Sequence, residues 1–170
     1  MSSHYKPSYS IEVLKQASNK KFGIVSSEWN SEIIQRLLNG AYDFFLKIDI
    51  NKDSIQHYSV PGSFELISGC VKMQSDHDLD AIIAIGSIIQ GETRHFDFIS
   101  QSVCNGIKDL NIVGNCPIIL CLLTDNDYQQ ALDRSGGKHG NKGYDCAEAA
   151  VKMTDRKSTR LNSSHQIISY

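Results

Sequence analysis

Residues 80–99, D-A-I-I-A-I-G-S-I-I-Q-G-E-T-R-H-F-D-F-I, decide how this 170-residue chain folds. Residues 81–85 form an unbroken apolar run, the pattern of a central parallel strand covered on both faces, so whatever follows is presented at the strand's carboxyl end. Gly91, Glu92, Thr93 and His95 fall there. The Gly91-Glu92-Thr93 segment can turn tightly, and a helix beginning near Thr93 would aim unpaired amides and its positive dipole end at a phosphate or carboxylate. His95, in the first helical turn, would exchange a proton near neutral pH. Taken alone, such a histidine is more often a solvated surface residue, and Thr93 an ordinary N-cap.

On either side, short β-like runs alternate with longer helical ones, which predicts an α/β fold with helices on both faces of a parallel sheet. Residues 22–26 read as the first strand. Ser31 is the predicted cap of a helix whose Ile33, Ile34, Leu37, Leu38, Ala41, Phe44 and Phe45 recur at helical spacing. Residues 55–60 form a second strand, broken by Pro61-Gly62 before a helix carrying Phe64, Leu66, Ile67, Val71 and Met73. The third strand ends at residues 86–89, residues 117–123 make the fourth, and Asp125 is the expected N-cap of the next helix. The Gly136-Gly137 loop stops that helix, and a last one runs from about Tyr144 to Met153. Residues 1–19 are polar and weakly patterned, which predicts an irregular arm ahead of one domain over residues 20–154.

Composition narrows the function classes. With 41% hydrophobic residues the chain suffices for one ordinary core. No apolar run approaches the ~20 residues that span a bilayer, and M-S-S-H-Y-K-P lacks the apolar block of a secretion signal, so the expected location is the cytoplasm, without membrane contact. Cys70, Cys104, Cys116, Cys121 and Cys146 show no metal-ligand spacing and read as free thiols. Residues 155–170, D-R-K-S-T-R-L-N-S-S-H-Q-I-I-S-Y, break with the rest in composition and match what a common sequencing-library adapter encodes in one frame. Without that tail the chain has 14 basic against 18 acidic residues, a net charge of −4 rather than −2. A mildly acidic body with no basic stripe gives nucleic acid no footing.

Three loops, at Glu28-Trp29-Asn30, Gly62-Ser63-Phe64-Glu65 and Gly91-Glu92-Thr93, follow carboxyl ends of strands, so topology brings them to the sheet edge where ligands collect. Trp29, the only tryptophan, is a candidate stacking surface for a flat heterocycle, although a lone tryptophan more often fills a core or interface. Glu65 is placed to accept from substrate hydroxyls, or equally to favour the start of a helix. Arg134 suits a helix carboxyl end, yet arginine is also the side chain best shaped for bidentate phosphate binding. His57, His77 and His139 read as solvated surface.

Four separated segments occur in order: S-E-W-N at 27–30, P-G-S-F-E-L at 61–66, G-S-I-I-Q-G-E-T-R-H-F-D at 86–97 and L-D-R-S-G-G-K-H-G-N-K-G at 132–143. Through them the chain resembles the 6,7-dimethyl-8-ribityllumazine synthase family over nearly all of residues 22–153. The resemblance implies a three-layer α/β/α sandwich on a four-stranded parallel sheet, flavodoxin-like in arrangement. It implies condensation of 5-amino-6-(D-ribitylamino)uracil with 3,4-dihydroxy-2-butanone 4-phosphate, a step of riboflavin biosynthesis that needs neither metal nor cofactor. Trp29 would then stack on the pyrimidine, Ser63, Phe64 and Glu65 would hold the ribityl chain, and Ile88 and Ile89 would line the heterocycle pocket. His95 would transfer protons, and Arg134 would bind phosphate with the amides of Glu92 and Thr93. Arg134 and Lys142 would come from a neighbouring subunit.

The resemblance further implies a homo-oligomer, a pentamer or an icosahedral shell of twelve pentamers, with riboflavin synthase as a further partner. The loop at 135–143 matches the short form associated with shells. Leu120 stands where many members carry a phenylalanine that closes over the ring, and Ile67 replaces a frequent proline. The alternative from another class is a non-catalytic flavin- or lumazine-binding homologue, or one that only forms a shell. His95 and Arg134 favour catalysis, because a container needs neither. A general nucleotide binder is disfavoured by the lack of both G-x-x-x-x-G-K-[ST] and G-x-G-x-x-G.

Overall fold

The computed structural model describes residues 10–165. In chain order its elements are α1 (Ile11–Leu14), β1 (Phe22–Ser27), α2 (Ser31–Lys47), β2 (Gln56–Val60), α3 (Leu66–Asp76), β3 (Ala81–Ile89), α4 (His95–Val113), β4 (Ile118–Asp125), α5 (Tyr128–Arg134), β5 (Ser135–Gly137), β6 (Gly140–Asn141) and α6 (Lys142–His165). Strands β1 to β4 pair in parallel in the order β2-β1-β3-β4, while β5 and β6 make a separate antiparallel ribbon inside the glycine-rich loop.

Alternation along the central strands sorts side chains into two cores. Phe22 and Ile24 of β1, with Ala81, Ile83 and Ile85 of β3, pack on one face against Leu37, Ala41 and Phe45 of α2 and Ala147, Ala150 and Val151 of α6. Val25, Ile82 and Ala84 point the other way, onto Leu66, Cys70 and Met73 of α3 and Val103 and Ile107 of α4. A sheet covered on both faces is the three-layer α/β/α, flavodoxin-like architecture, and it explains why β3 reads as a continuous apolar run. Ile82, Ile83 and Ile85 are fully buried, each stabilising the fold by about 1.5–3 kcal/mol before entropy is counted. The edge strand β2 alternates between half-buried and exposed residues, as its position requires.

Helices α2 and α6 approach closely because their contact is made of small residues. A Cβ on Gly143 would fall 1.9 Å from the carbonyl oxygen of Leu37, and one on Gly40 would fall 2.3 Å from the Asn141 side chain. Asn141 fixes this junction. Its Nδ2 donates to the carbonyls of Arg36 (2.8 Å) and Ser135 (3.1 Å), while its Oδ1 accepts from the amides of Gly143 (2.8 Å) and Tyr144 (3.4 Å) at the start of α6.

Local expectations are corrected at the element ends. Instead of an irregular arm before Lys20, α1 continues as a 3-10 turn over Lys15–Ala17 and buries Leu14 and Ala17, a pair too short for periodicity to reveal. Residues 1–9, the rest of that predicted arm, lie outside the described residues. The N-cap of α2 is Asn30, in the left-handed conformation with φ 58°, rather than Ser31. The N-cap of α5 is Asp127, whose carboxylate accepts from the Gln130 amide at 2.8 Å; Asp125 instead ends β4. Helix α4 begins at His95, so Thr93 precedes it by two residues, its Oγ1 accepting from the His95 amide at 3.4 Å. Helix α6 extends to His165, twelve residues past the predicted Met153.

Candidate active site

The strand order reverses between β1 and β3, since β1 connects onward to β2 on one side while β3 leads to β4 on the other. Crevices outside the carboxyl ends of strands at such a reversal are where open α/β sheets bind ligands. A cleft of about 650 Å³ lies there, its lining including Trp29, Ser63, Phe64, Glu65, Ile88, Ile89 and His95. Seven of the predicted site residues, scattered over 67 positions of sequence, thus converge on one hollow. Each comes from a loop or strand end: Trp29 after β1, Ser63 to Glu65 after β2, and Ile88 to His95 around the end of β3.

The walls of this cleft are fixed by close approaches. Asn30 Nδ2 donates to the carbonyl oxygen of Ser87 at 2.9 Å, tying the turn after β1 to the end of β3 across the reversal. A Cβ at Gly86 would lie 2.9 Å from Ser63 Oγ and from Leu66, so the glycine of the G-S-I-I stretch lets the loop after β2 close onto β3. Ser87 is buried, and its Oγ is without a partner among the described residues while the residue lines the cleft. Trp29 is 75% exposed and Phe64 49%, so two large aromatic surfaces stand open at the rim. An apolar wall of Ile88 and Ile89, flanking aromatics, the Glu65 carboxylate and a nearby imidazole suit a flat, hydroxylated heterocycle.

The other predicted residues are placed elsewhere. Leu120, Arg134 and Lys142 line a smaller hollow of about 190 Å³ at the end of β4, together with Asp125, Cys121 and Cys146. Arg134 Nε lies 3.4 Å from Oδ1 of Asp125, and Lys142 Nζ lies 3.1 Å from Asp145 Oδ2. Asp125 is only 4% exposed, and burial pushes its carboxyl pKa up against the opposing pull of Arg134. Glu92 and Thr93 belong to neither hollow; both are exposed in the turn between β3 and α4.

Among the described residues no three His, Cys, Asp or Glu side chains gather to hold a metal, and no helix is long and apolar enough to cross a membrane. The thiols of Cys70, Cys116 and Cys121 are buried, Cys104 is exposed, and burial pushes the Cys70 thiol up to about 12. Two histidines read as solvated have partners. His57 Nε2 lies 2.9 Å from Oγ of buried Ser26, with desolvation and then the Lys52 charge lowering its pKa; His77 Nε2 lies 3.0 Å from the Tyr58 hydroxyl, which also donates to Asp76 at 2.8 Å.

Sequence reasoning missed Asn30, Ser87, Asp125 and Asn141. Asn30 had a usable signal, an asparagine just before a predicted helix, whereas Asn141 stood three residues ahead of the predicted start at Tyr144 and gained its capping position only when α6 began at Lys142. Ser87 and Asp125 had none, because their importance comes from burial at strand ends.

Fold and cleft define a doubly wound α/β protein with a ligand-sized cleft at its sheet edge. The family model of 6,7-dimethyl-8-ribityllumazine synthase matches residues 19–158. A 6,7-dimethyl-8-ribityllumazine synthase of Christiangramia forsetii is 52% identical over 155 residues, covering 90% of this chain and 92% of its own. Those of Flavobacterium johnsoniae and Bacteroides fragilis are 50% and 48% identical, over 85% and 79% of this chain and 76% and 94% of theirs. The chain belongs to the 6,7-dimethyl-8-ribityllumazine synthase family.

Proposed function

We propose that the protein condenses 5-amino-6-(D-ribitylamino)uracil with 3,4-dihydroxy-2-butanone 4-phosphate, giving 6,7-dimethyl-8-ribityllumazine, phosphate and water. The observation that carries this reading is the convergence of Trp29, Ser63, Phe64, Glu65, Ile88, Ile89 and His95 on one cleft. In it the pyrimidine stacks on Trp29 between the isoleucines, and its ribityl hydroxyls meet Glu65 and the backbone at Ser63 and Phe64.

The amine of the pyrimidine attacks the butanone carbonyl and a first water leaves; phosphate is then eliminated, and the ribitylamino nitrogen closes the second ring on the carbonyl so formed, with loss of a second water. Each stage moves protons between intrinsically reactive partners, so holding them together supplies much of the acceleration. His95, at the cleft, is the group that moves those protons, a contribution on the order of 10²–10⁴-fold.

The phosphate needs a permanent cation, and neither lysine nor arginine lines the first cleft, whereas Arg134 and Lys142 share the second hollow with Leu120. A heterologous contact that seats the second hollow of one protomer against the first cleft of the next completes every site, with Arg134 meeting the amides of Glu92 and Thr93 over the phosphate. Such contacts close into a ring, here a pentamer, and twelve rings into a shell able to enclose riboflavin synthase. The reaction belongs in the cytoplasm. The catalytic unit is residues 20–154, and residues 155–170 read as adapter-encoded sequence outside it.

Mixing the protein with both substrates and following lumazine absorbance and fluorescence tests the reading. Product formation that depends on both substrates is expected; none in a correctly assembled oligomer refutes it and favours a binding or shell-forming role.

A further inference from the structure

Arg134 is the last residue of the short helix α5 and is half exposed, so nothing in its own helix holds its guanidinium in one direction. What does face it is Asp125. The Asp125 backbone is the final rung of the sheet: it pairs in register with Ile89, and its carbonyl accepts from the Gln90 amide at 2.9 Å. Its side chain is buried, with Oδ1 turned to Arg134 Nε at 3.4 Å and Oδ2 lacking any hydrogen-bond partner among the described residues.

A carboxylate buried with one oxygen unpaired costs stability, and burial raises its pKa accordingly. Its neighbour in β4 is the exposed Thr124, and the residue before it on the same face of the strand, Leu123, is buried and apolar, so the carboxylate stands where an apolar side chain would fit. The contact recorded for this ion pair is through Nε, the inner nitrogen of the guanidinium, rather than through either of the two terminal nitrogens. Those terminal nitrogens form one edge of the planar fork that grips a phosphate with two parallel hydrogen bonds.

We propose that Asp125 is a positioning residue for the substrate phosphate: from the rigid end of β4 it clamps the inner nitrogen of Arg134 so that the outer two are aimed across the subunit boundary at the phosphoryl oxygens. The proposal rests on the reading of Arg134 as the phosphate ligand. Asp125 itself touches no substrate. Its effect is confined to the phosphate-bearing partner, because the cleft that takes the pyrimidine is built from other residues.

The test compares Asp125→Asn, which keeps the shape and removes the charge, with Asp125→Ala, Arg134→Ala and the double variant Asp125→Asn/Arg134→Ala, each verified as the assembled oligomer by sizing. Inorganic phosphate serves as competitive probe. Asp125→Asn is expected to raise both the KM for the butanone phosphate and the inhibition constant of inorganic phosphate about tenfold, leaving kcat and the KM for the pyrimidine within about twofold. Adding Asp125→Asn to Arg134→Ala is expected to change neither constant further. An unchanged phosphate KM in Asp125→Asn beside a raised one in Arg134→Ala overturns the proposal alone. So does an Asp125→Asn effect that persists undiminished without Arg134. An unchanged phosphate KM in Arg134→Ala overturns the phosphate reading and the clamp together.

Discussion

Asn30 and Ser87 are 57 residues apart in sequence, yet the Asn30 side-chain amide donates to the Ser87 carbonyl at 2.9 Å and so bridges β1 and β3 at the point where the strand order reverses. The same asparagine sits at φ 58°, ψ 46° as the N-cap of α2, a conformation that asparagine and glycine adopt far more readily than alanine. Bond and backbone angle separate in two variants. Asn30→Gly should cost about 1 kcal/mol, the worth of the hydrogen bond, whereas Asn30→Ala adds left-handed strain and should cost about 2 kcal/mol or more. Urea unfolding at fixed protomer concentration measures both, and equal losses would refute the assignment of strain. Both variants should raise the KM for the pyrimidine, because Asn30 and Ser87 line the cleft.

Replacing His95 by alanine should slow turnover by about two to three decades and leave substrate KM values near wild type, since the cleft still positions both partners. Complete loss in a correctly assembled oligomer would show that the imidazole does more than move protons.

Stability and function should oppose each other at Asp125. Its folded-state pKa is raised, so the native state binds more protons than the unfolded one, and the charged carboxylate lowers stability as pH rises through the folded value. Asp125→Asn removes this titration. The variant should therefore melt above wild type at pH 7, and the gap should close as pH falls to the ordinary aspartate range near ~4. A variant that melts lower at neutral pH would mean that the pairing with Arg134 outweighs burial.

Gly143 lies so near the Leu37 carbonyl that any side chain must push α6 off α2. Gly143→Ala should destabilise the fold by about 3 kcal/mol, at the upper end of ordinary overpacking because the obstacle is backbone. Its denaturation midpoint checks this, with Gly140→Ala at φ 77° as a contrast: there no atom lies within 4 Å of the added Cβ, so only backbone strain is felt.

How much the sequence disclosed depended on how many residues shared the signal. The two-faced sheet was legible from the apolar run of β3 and the helical repeat of α2, because each pattern recurs over many positions. Helix starts were read one or two residues astray at Asn30, His95 and Asp127, where a single cap decides and several polar residues compete. Asp125 looked like that cap because aspartate favours it; burial at the end of β4 was invisible until the strand was placed. The cleft residues were legible through a family pattern, whereas the division of Trp29 and His95 from Arg134 and Lys142 into two hollows came only with the fold.

Complementation in trans tests the central claim, a site completed by the neighbouring protomer. Oligomers of His95→Ala and of Arg134→Ala are dissociated, mixed in equal amounts and reassembled. If His95 and Arg134 meet across a boundary, about a quarter of the mixed sites carry both native residues, and activity should rise to about that fraction of wild type, far above either parent. Activity no greater than the average of the two parents, in oligomers shown to be mixed, would contradict the account.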